Sequence, residues 1–191
     1  MILLAAVSTV GGPARAHEIP TDVVVQIYVK PDSQQVNLLL RVPLDAMRDV
    51  NVPLRGPGYI NIDEADESLR DAAEIWLANF IHIVADETVL DKWSIDALRI
   101  SLPSNTSFAN YESAYRHIEG PPLDSATELY RDQALLDVII TYPMAGPASD
   151  FSIDPDLGRL GQRTTTVLRF LPGEGLLRVF ELTGSPGLVA L

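Results

Sequence analysis

Ala14-Arg15-Ala16-His17-Glu18 places a metal-capable pair directly behind an A-x-A motif of the kind signal peptidase reads. Cleavage after Ala16 would leave His17 as the mature N-terminus, with a free α-amine and an imidazole on one residue. Both ligate transition metals once deprotonated, so His17 with Glu18 is the candidate metal site, for Ni or Cu. The other two histidines, His82 and His117, share no H-x-H, H-x-x-x-H or H-E-x-x-H spacing with His17 or with each other.

Other chemistries leave fainter traces. The chain has no G-x-S-x-G, and Gly56-Pro57-Gly58 lacks the Gly-Lys-Ser/Thr ending of a phosphate-binding loop. An enzyme acting on an envelope substrate would need a pocket joining His117 to a carboxylate and a nucleophilic hydroxyl, which no local pattern supplies. Asp63, Glu64, Asp66, Glu67 and Asp71 lack the order of a calcium loop and suit the first turn of a helix. With no cysteine, thiolate metal sites, disulfides and cysteine nucleophiles are excluded. The sequence therefore reads as non-enzymatic. Arg41, Arg48, Asp49 and Arg55 lie in or near an irregular stretch and form either structural ion pairs or a docking patch; Arg48, Asp49 and Arg55 are the candidate docking residues.

The apolar run Ile2 to Val10 ahead of the A-x-A motif reads as the core of a signal peptide, residues 1–16, which lacks a basic start and so looks truncated. It is too short to span a bilayer, which takes about 20 apolar residues. The rest, 17–191, is long enough for one domain with a sizeable core. The formal charge of −12 argues against nucleic acid and against direct binding to an anionic lipid surface. An exported chain without disulfides must be held by its core, which points to a bacterial periplasm and makes the Asn105-Thr106-Ser107 sequon incidental.

The elements that would position these groups are mostly strands. Val23, Val25, Ile27, Val29 and then Val36, Leu38, Leu40, Val42 alternate on either side of Pro31-Asp32-Ser33-Gln34, the pattern of a hairpin with one buried face. Asp45 to Tyr59 is a Pro/Gly loop. Leu69, Ala73, Trp76, Leu77 and Phe80 share a helical face, with Asp66 as cap. Strands are expected at Ile81–Ala85, before an Asp86-Glu87 turn, and at Leu98–Leu102. Phe108, Tyr111, Tyr115 and Ile118 mark a second helix, stopped by Gly120-Pro121-Pro122. Leu136–Tyr142 is a strand, Pro147 to Gly158 a loop, and Thr164–Leu171 with Leu176–Leu182 a terminal hairpin. The sum is a mainly β fold, an antiparallel β-sandwich of about 7–8 strands with two inserted α-helices.

Several strings, taken together, carry a family resemblance: His17-Glu18-Ile19-Pro20, Arg41-Val42-Pro43-Leu44-Asp45-Ala46-Met47-Arg48-Asp49-Val50 and Leu54-Arg55-Gly56-Pro57-Gly58-Tyr59. Ser101-Leu102-Pro103-Ser104, Gly120-Pro121-Pro122-Leu123 and Thr166-Val167-Leu168-Arg169-Phe170-Leu171-Pro172 extend it. From His17 onward the chain resembles the extracytoplasmic N-terminal region of HupE/UreJ-like bacterial membrane proteins. The resemblance implies a link to nickel or a related metal and brings no catalytic residues with it. It also implies a polytopic membrane domain after the Thr183–Gly187 region, absent here, so the expected partner is a membrane-embedded domain of the same or a neighbouring gene.

Overall fold

The computed structural model describes residues 20–173 and 176–191. β1 (Asp22–Pro31) and β2 (Gln35–Pro43) form the expected hairpin, Gln26 opposite Arg41 through Pro31 opposite Val36. In its turn the Asp32 carboxylate accepts the backbone N–H groups of Gln34 and Gln35. The following loop holds a two-residue ladder, β3 (Leu54–Arg55) with β4 (Tyr59–Ile60). Helix α1 (Asp66–Trp76) leads through a 3-10 turn into β5 (Ile81–Ala85), β6 (Thr88–Leu90) and β7 (Ser94–Ser101). Helix α2 (Tyr111–Glu119) precedes β8 (Leu135–Pro143), β9 (Phe151–Pro155), β10 (Arg163–Phe170), β11 (Arg178–Thr183) and β12 (Val189–Ala190).

Two sheets face each other. One has six strands in the order β11-β10-β1-β2-β8-β7, the other four in the order β12-β9-β5-β6. Alternation sends Val25, Ile27, Val29, Leu38, Leu40, Val138 and Ile140 inward against Ile81, Ile83 and Ile153, and all are essentially inaccessible to water. Burial of each such side chain contributes about 1.5–3 kcal/mol. α1 adds Leu69, Ala72, Ala73 and Trp76 to this core, and the Tyr142 hydroxyl crosses it to donate to the Ile81 carbonyl at 2.9 Å. The six-stranded sheet has a second, smaller core on its outer face: Tyr28, Leu39 and Ile139 lie under Phe108, Tyr111, Ala114 and Ile118 of α2 and its approach.

The mainly β sandwich with two helices is as expected, but it holds twelve strands among the described residues, not seven or eight. β9 lies inside the stretch read as a loop, because Phe151-Ser-Ile-Asp-Pro is too short to show alternation, and β12 has only two residues. The sheet is not wholly antiparallel: β1 pairs with β10 in parallel, Asp22 opposite Arg163 through Val29 opposite Phe170. Asp66 is the first helical residue rather than the cap; Ala65 occupies the cap position without a side-chain bond. Phe80 and Phe108 sit in 3-10 turns flanking the helices, and Asn110 caps α2 by accepting the Ser113 N–H. The Pro172–Gly175 turn of the terminal hairpin falls partly outside the described residues.

Candidate functional site

Three positions side by side on the outer face of the large sheet form a polar row across antiparallel strands: Arg41 of β2 opposite Asp137 of β8, and Asp137 opposite Arg99 of β7. Asp137 is fully buried and Arg41 nearly so. Their contact is bidentate, with Arg41 Nε donating to Oδ1 at 2.7 Å and an Nη to Oδ2 at 2.6 Å. The remaining Arg41 donors reach the Asn105 carbonyl, the Asn105 side-chain oxygen and Ser107 Oγ, and the guanidinium lies 4.2 Å from the Phe108 ring centre. Burial by itself would push the Asp137 carboxyl up. Hydrogen bonds from Arg41 and His117, the Arg41 charge and the Ser101 hydroxyl outweigh it and hold the group below the usual carboxylate range.

The same cluster joins a histidine, a hydroxyl and a carboxylate. Ser101 Oγ lies 2.7 Å from His117 Nε2 and donates to Asp137 Oδ2 at 2.6 Å; His117 Nε2 is 3.3 Å from the same oxygen. A hydrolytic triad needs the imidazole between the other two, one ring nitrogen on each. Here a single nitrogen faces both partners, while Nδ1 faces the Asn105 amide at 3.5 Å. Ser101 is 0% exposed and its proton is directed at Asp137, so no substrate carbonyl can reach it. One tautomer satisfies the network: Asn105 donates to Nδ1, Nε2–H to Ser101 with Asp137 Oδ2 as a second, longer acceptor, and Ser101 to Asp137. Arg99 completes the arrangement by donating to the carbonyls of His117 and Pro121 at the C-terminal end of α2. The cluster fastens α2 and the Asn105–Ser107 loop to the sheet.

The residues read as docking candidates lie elsewhere. Arg48 donates to the Arg159 carbonyl at 3.3 Å, and the Arg48 and Arg159 guanidinium carbons lie 5.5 and 4.1 Å from the Trp76 ring centre. Asp49 is exposed and held at φ 61, the left-handed region that costs a side-chain-bearing residue energy. Clefts of about 390 and 290 Å³ flank Val50-Asn51: Arg48, Asp71, Ile75 and Trp76 line the first, Leu54 and Arg131 the second. Ile75 and Leu54 are more than half exposed. The buried Nε atoms of Arg48 and Arg131 have no protein partner. Arg55, whose buried Nε likewise lacks a protein partner, donates to the Thr127 carbonyl at 2.9 Å beside the Tyr59 and Tyr130 rings and lines neither cleft.

His17 and Glu18 lie outside the described residues. Among the described residues no group of three or more histidine, aspartate or glutamate side chains is placed to hold a metal. His82 is exposed on the outer side of the four-stranded sheet, opposite Asp154. A larger cleft of about 670 Å³ beside α2 is lined by Lys30, Asp32, Glu112, Tyr111 and Arg116; Lys30 pairs with Glu112 at 3.5 Å, Asp32 bonds its own turn, and Arg116 donates to the Glu112 carbonyl at 3.2 Å.

Asp137 and Ser101 were invisible to motif reading, yet one signal exists. Leu135-Leu-Asp-Val-Ile-Ile places a lone carboxylate inside an otherwise apolar strand, where it must either face water or find a buried cation. No protein-family model and no curated protein matches the chain.

Proposed function

We propose that the chain is a non-enzymatic extracytoplasmic domain serving a HupE/UreJ-like bacterial membrane protein, and that it docks on the membrane-embedded partner through the surface around Arg48 and Asp49. One observation carries this reading. In a chain with a formal charge of −12, Arg48, Arg131 and Arg159 gather about Trp76 and Val50-Asn51, next to exposed Ile75 and Leu54 and two clefts. Concave, partly apolar surface with arginines at its centre, here stacked over the buried Trp76 ring, has the composition of protein-binding hot spots. Asp49, exposed and in the left-handed region, lies at the junction of the two clefts. The occupant that fits is an extracytoplasmic loop with acidic and apolar side chains.

The non-enzymatic part of the proposal is supported by the geometry of Ser101, His117 and Asp137, which consumes the reactive groups in one another. The test is co-purification of the chain with the membrane domain encoded by the same or a neighbouring gene. Arg48→Glu should lower recovery about tenfold or more, as losing a central arginine does at a hot spot, with the cooperative melting transition retained; undiminished recovery with this variant removes the docking surface.

A further inference from the structure

β11 ends the six-stranded sheet: β10 lies on one side and, among the described residues, no strand lies on the other. The Gly184 N–H donates to the Thr164 carbonyl at 2.8 Å. Since main-chain groups alternate in direction along a strand, those of Arg178, Phe180 and Leu182 turn toward β10, and those of Val179, Glu181 and Thr183 turn outward. An open row of donors and acceptors is therefore presented at this edge.

Edges are usually blunted by lysine, proline, a bulge or a covering element. The opposite edge, β7, has such devices: its register shifts between Ile95 and Ala97, and Arg70 of α1 donates to the Ile95 carbonyl at 2.8 Å. Among the described residues β11 has neither a bulge nor a covering strand, and its only charged residues are Arg178 and Glu181. Its pairing with β10 is continuous, and it contains neither proline nor lysine. Val179 is 60% exposed on the outer face, while Phe180 and Leu182, which face the sandwich interior, are only half-buried.

We propose that this edge pairs with β11 of a second copy of the chain, antiparallel about a two-fold axis through Phe180 and normal to the sheet. Such an axis keeps both interior faces on one side. It sets Val179 opposite Glu181 of the second copy, where the outward main-chain groups of both complete a hydrogen-bonded pair, and it sets Phe180 opposite Phe180 in the closer, non-bonded pair. The two phenyl rings would then close the half-open end of each core. Arg169 stands beside Val179 on β10, so Glu181 of the second copy falls two strands away, roughly 10 Å between backbones. Both side chains are long enough to meet across Val179. Moving the axis to Glu181 would set two carboxylates face to face, and moving it to Val179 would shorten the overlap.

The absence of cysteine makes the register directly testable. Under mild oxidation Phe180→Cys should form a disulfide dimer by itself; Val179→Cys and Glu181→Cys should cross-link to each other when mixed, and Glu181→Cys should not cross-link alone. By sedimentation the unmodified chain should dimerise with rising concentration. Glu181→Pro removes one outward N–H and leaves the β10 ladder intact, and Glu181→Lys removes the charge pairing. Each should weaken the dimer about tenfold or more, with an unchanged melting curve. A chain that stays monomeric at millimolar concentration, a dimer indifferent to both Glu181 variants, or self-cross-linking of Glu181→Cys overturns the proposal.

Discussion

Arg41 and Arg48 stand seven positions apart and end in opposite situations. Arg41 is on the outer face of β2 beneath the approach to α2, its Nε and both Nη groups engaged by Asp137, Asn105 and Ser107. Arg48 is beyond the strand, with one long bond to a carbonyl and an Nε without a protein partner. A fully satisfied, buried cation belongs to the fold, because nothing is left over to recognise a ligand. A partly satisfied one beside an exposed apolar cleft is bound less tightly into the fold. The difference between them separates architecture from recognition more clearly than residue type does.

The sharpest way to break the contrast is Asp137→Ala. It leaves the Arg41 guanidinium buried without its counter-charge, and urea unfolding should show a loss of about 3–5 kcal/mol. Replacing both partners, Arg41→Met with Asp137→Leu, should recover much of that loss, since a buried pair exchanged for apolar groups is often neutral. Failure to recover would mean that the bonds to Asn105 and Ser107 carry the energy instead.

Acid titration sharpens it next. The Asp137 carboxyl is lowered in the folded state, so its contribution is fully present above the ordinary aspartate value of about 3.9 and is lost as pH falls through the lower folded value. The stability gap between the unmodified chain and Asp137→Asn should therefore be constant at neutral pH and narrow in acid; a gap that widens in acid contradicts the assignment. A smaller effect is expected from Tyr28→Phe, which removes the 3.0 Å bond to the Phe108 carbonyl and should cost about 1 kcal/mol by thermal unfolding.

On the recognition side the effects on stability should be smallest and of either sign. Arg48→Ala should cost no more than about 1 kcal/mol, the value of an accessible cation–π contact. Asp49→Gly relieves the left-handed backbone and should stabilise by up to about 1 kcal/mol while lowering co-purification with the membrane partner. Stabilisation with undiminished co-purification would leave the strained residue without a role in docking.

The β1–β2 hairpin was legible because the inner face of each strand is apolar at every second position, Val23 to Val29 and Val36 to Val42, whatever covers the outer face. β8 was legible for the same reason on its inner face, but Asp137 on the outer face has meaning only once β2 and β7 are known to flank it. That neighbourhood brings together positions 41, 101, 117 and 137, and strand order is a long-range property that local periodicity does not encode. Arg41 illustrates the limit: alternation placed it opposite Leu40 and Val42, on a face that looked open to water until α2 was laid over it. Arg48 and Asp49 could be marked as loop residues from Pro and Gly content, whereas the approach of Trp76 and Arg159 from elsewhere in the chain could not.

The parallel pairing of β1 with β10 governs how the protein comes into being. Val29 has one neighbour close by at Leu38 and the other only at Phe170, so one side of the first strand completed during synthesis waits for one of the last. Contacts so distant in sequence form slowly, because the intervening chain must be ordered before they reward it. Under the proposed export, a chain threaded through a membrane from its N-terminus would emerge with β1 and β2 able to pair but their sheet unfinished. It would stay open to chaperones and proteases until nearly its whole length had crossed, and then close as a unit.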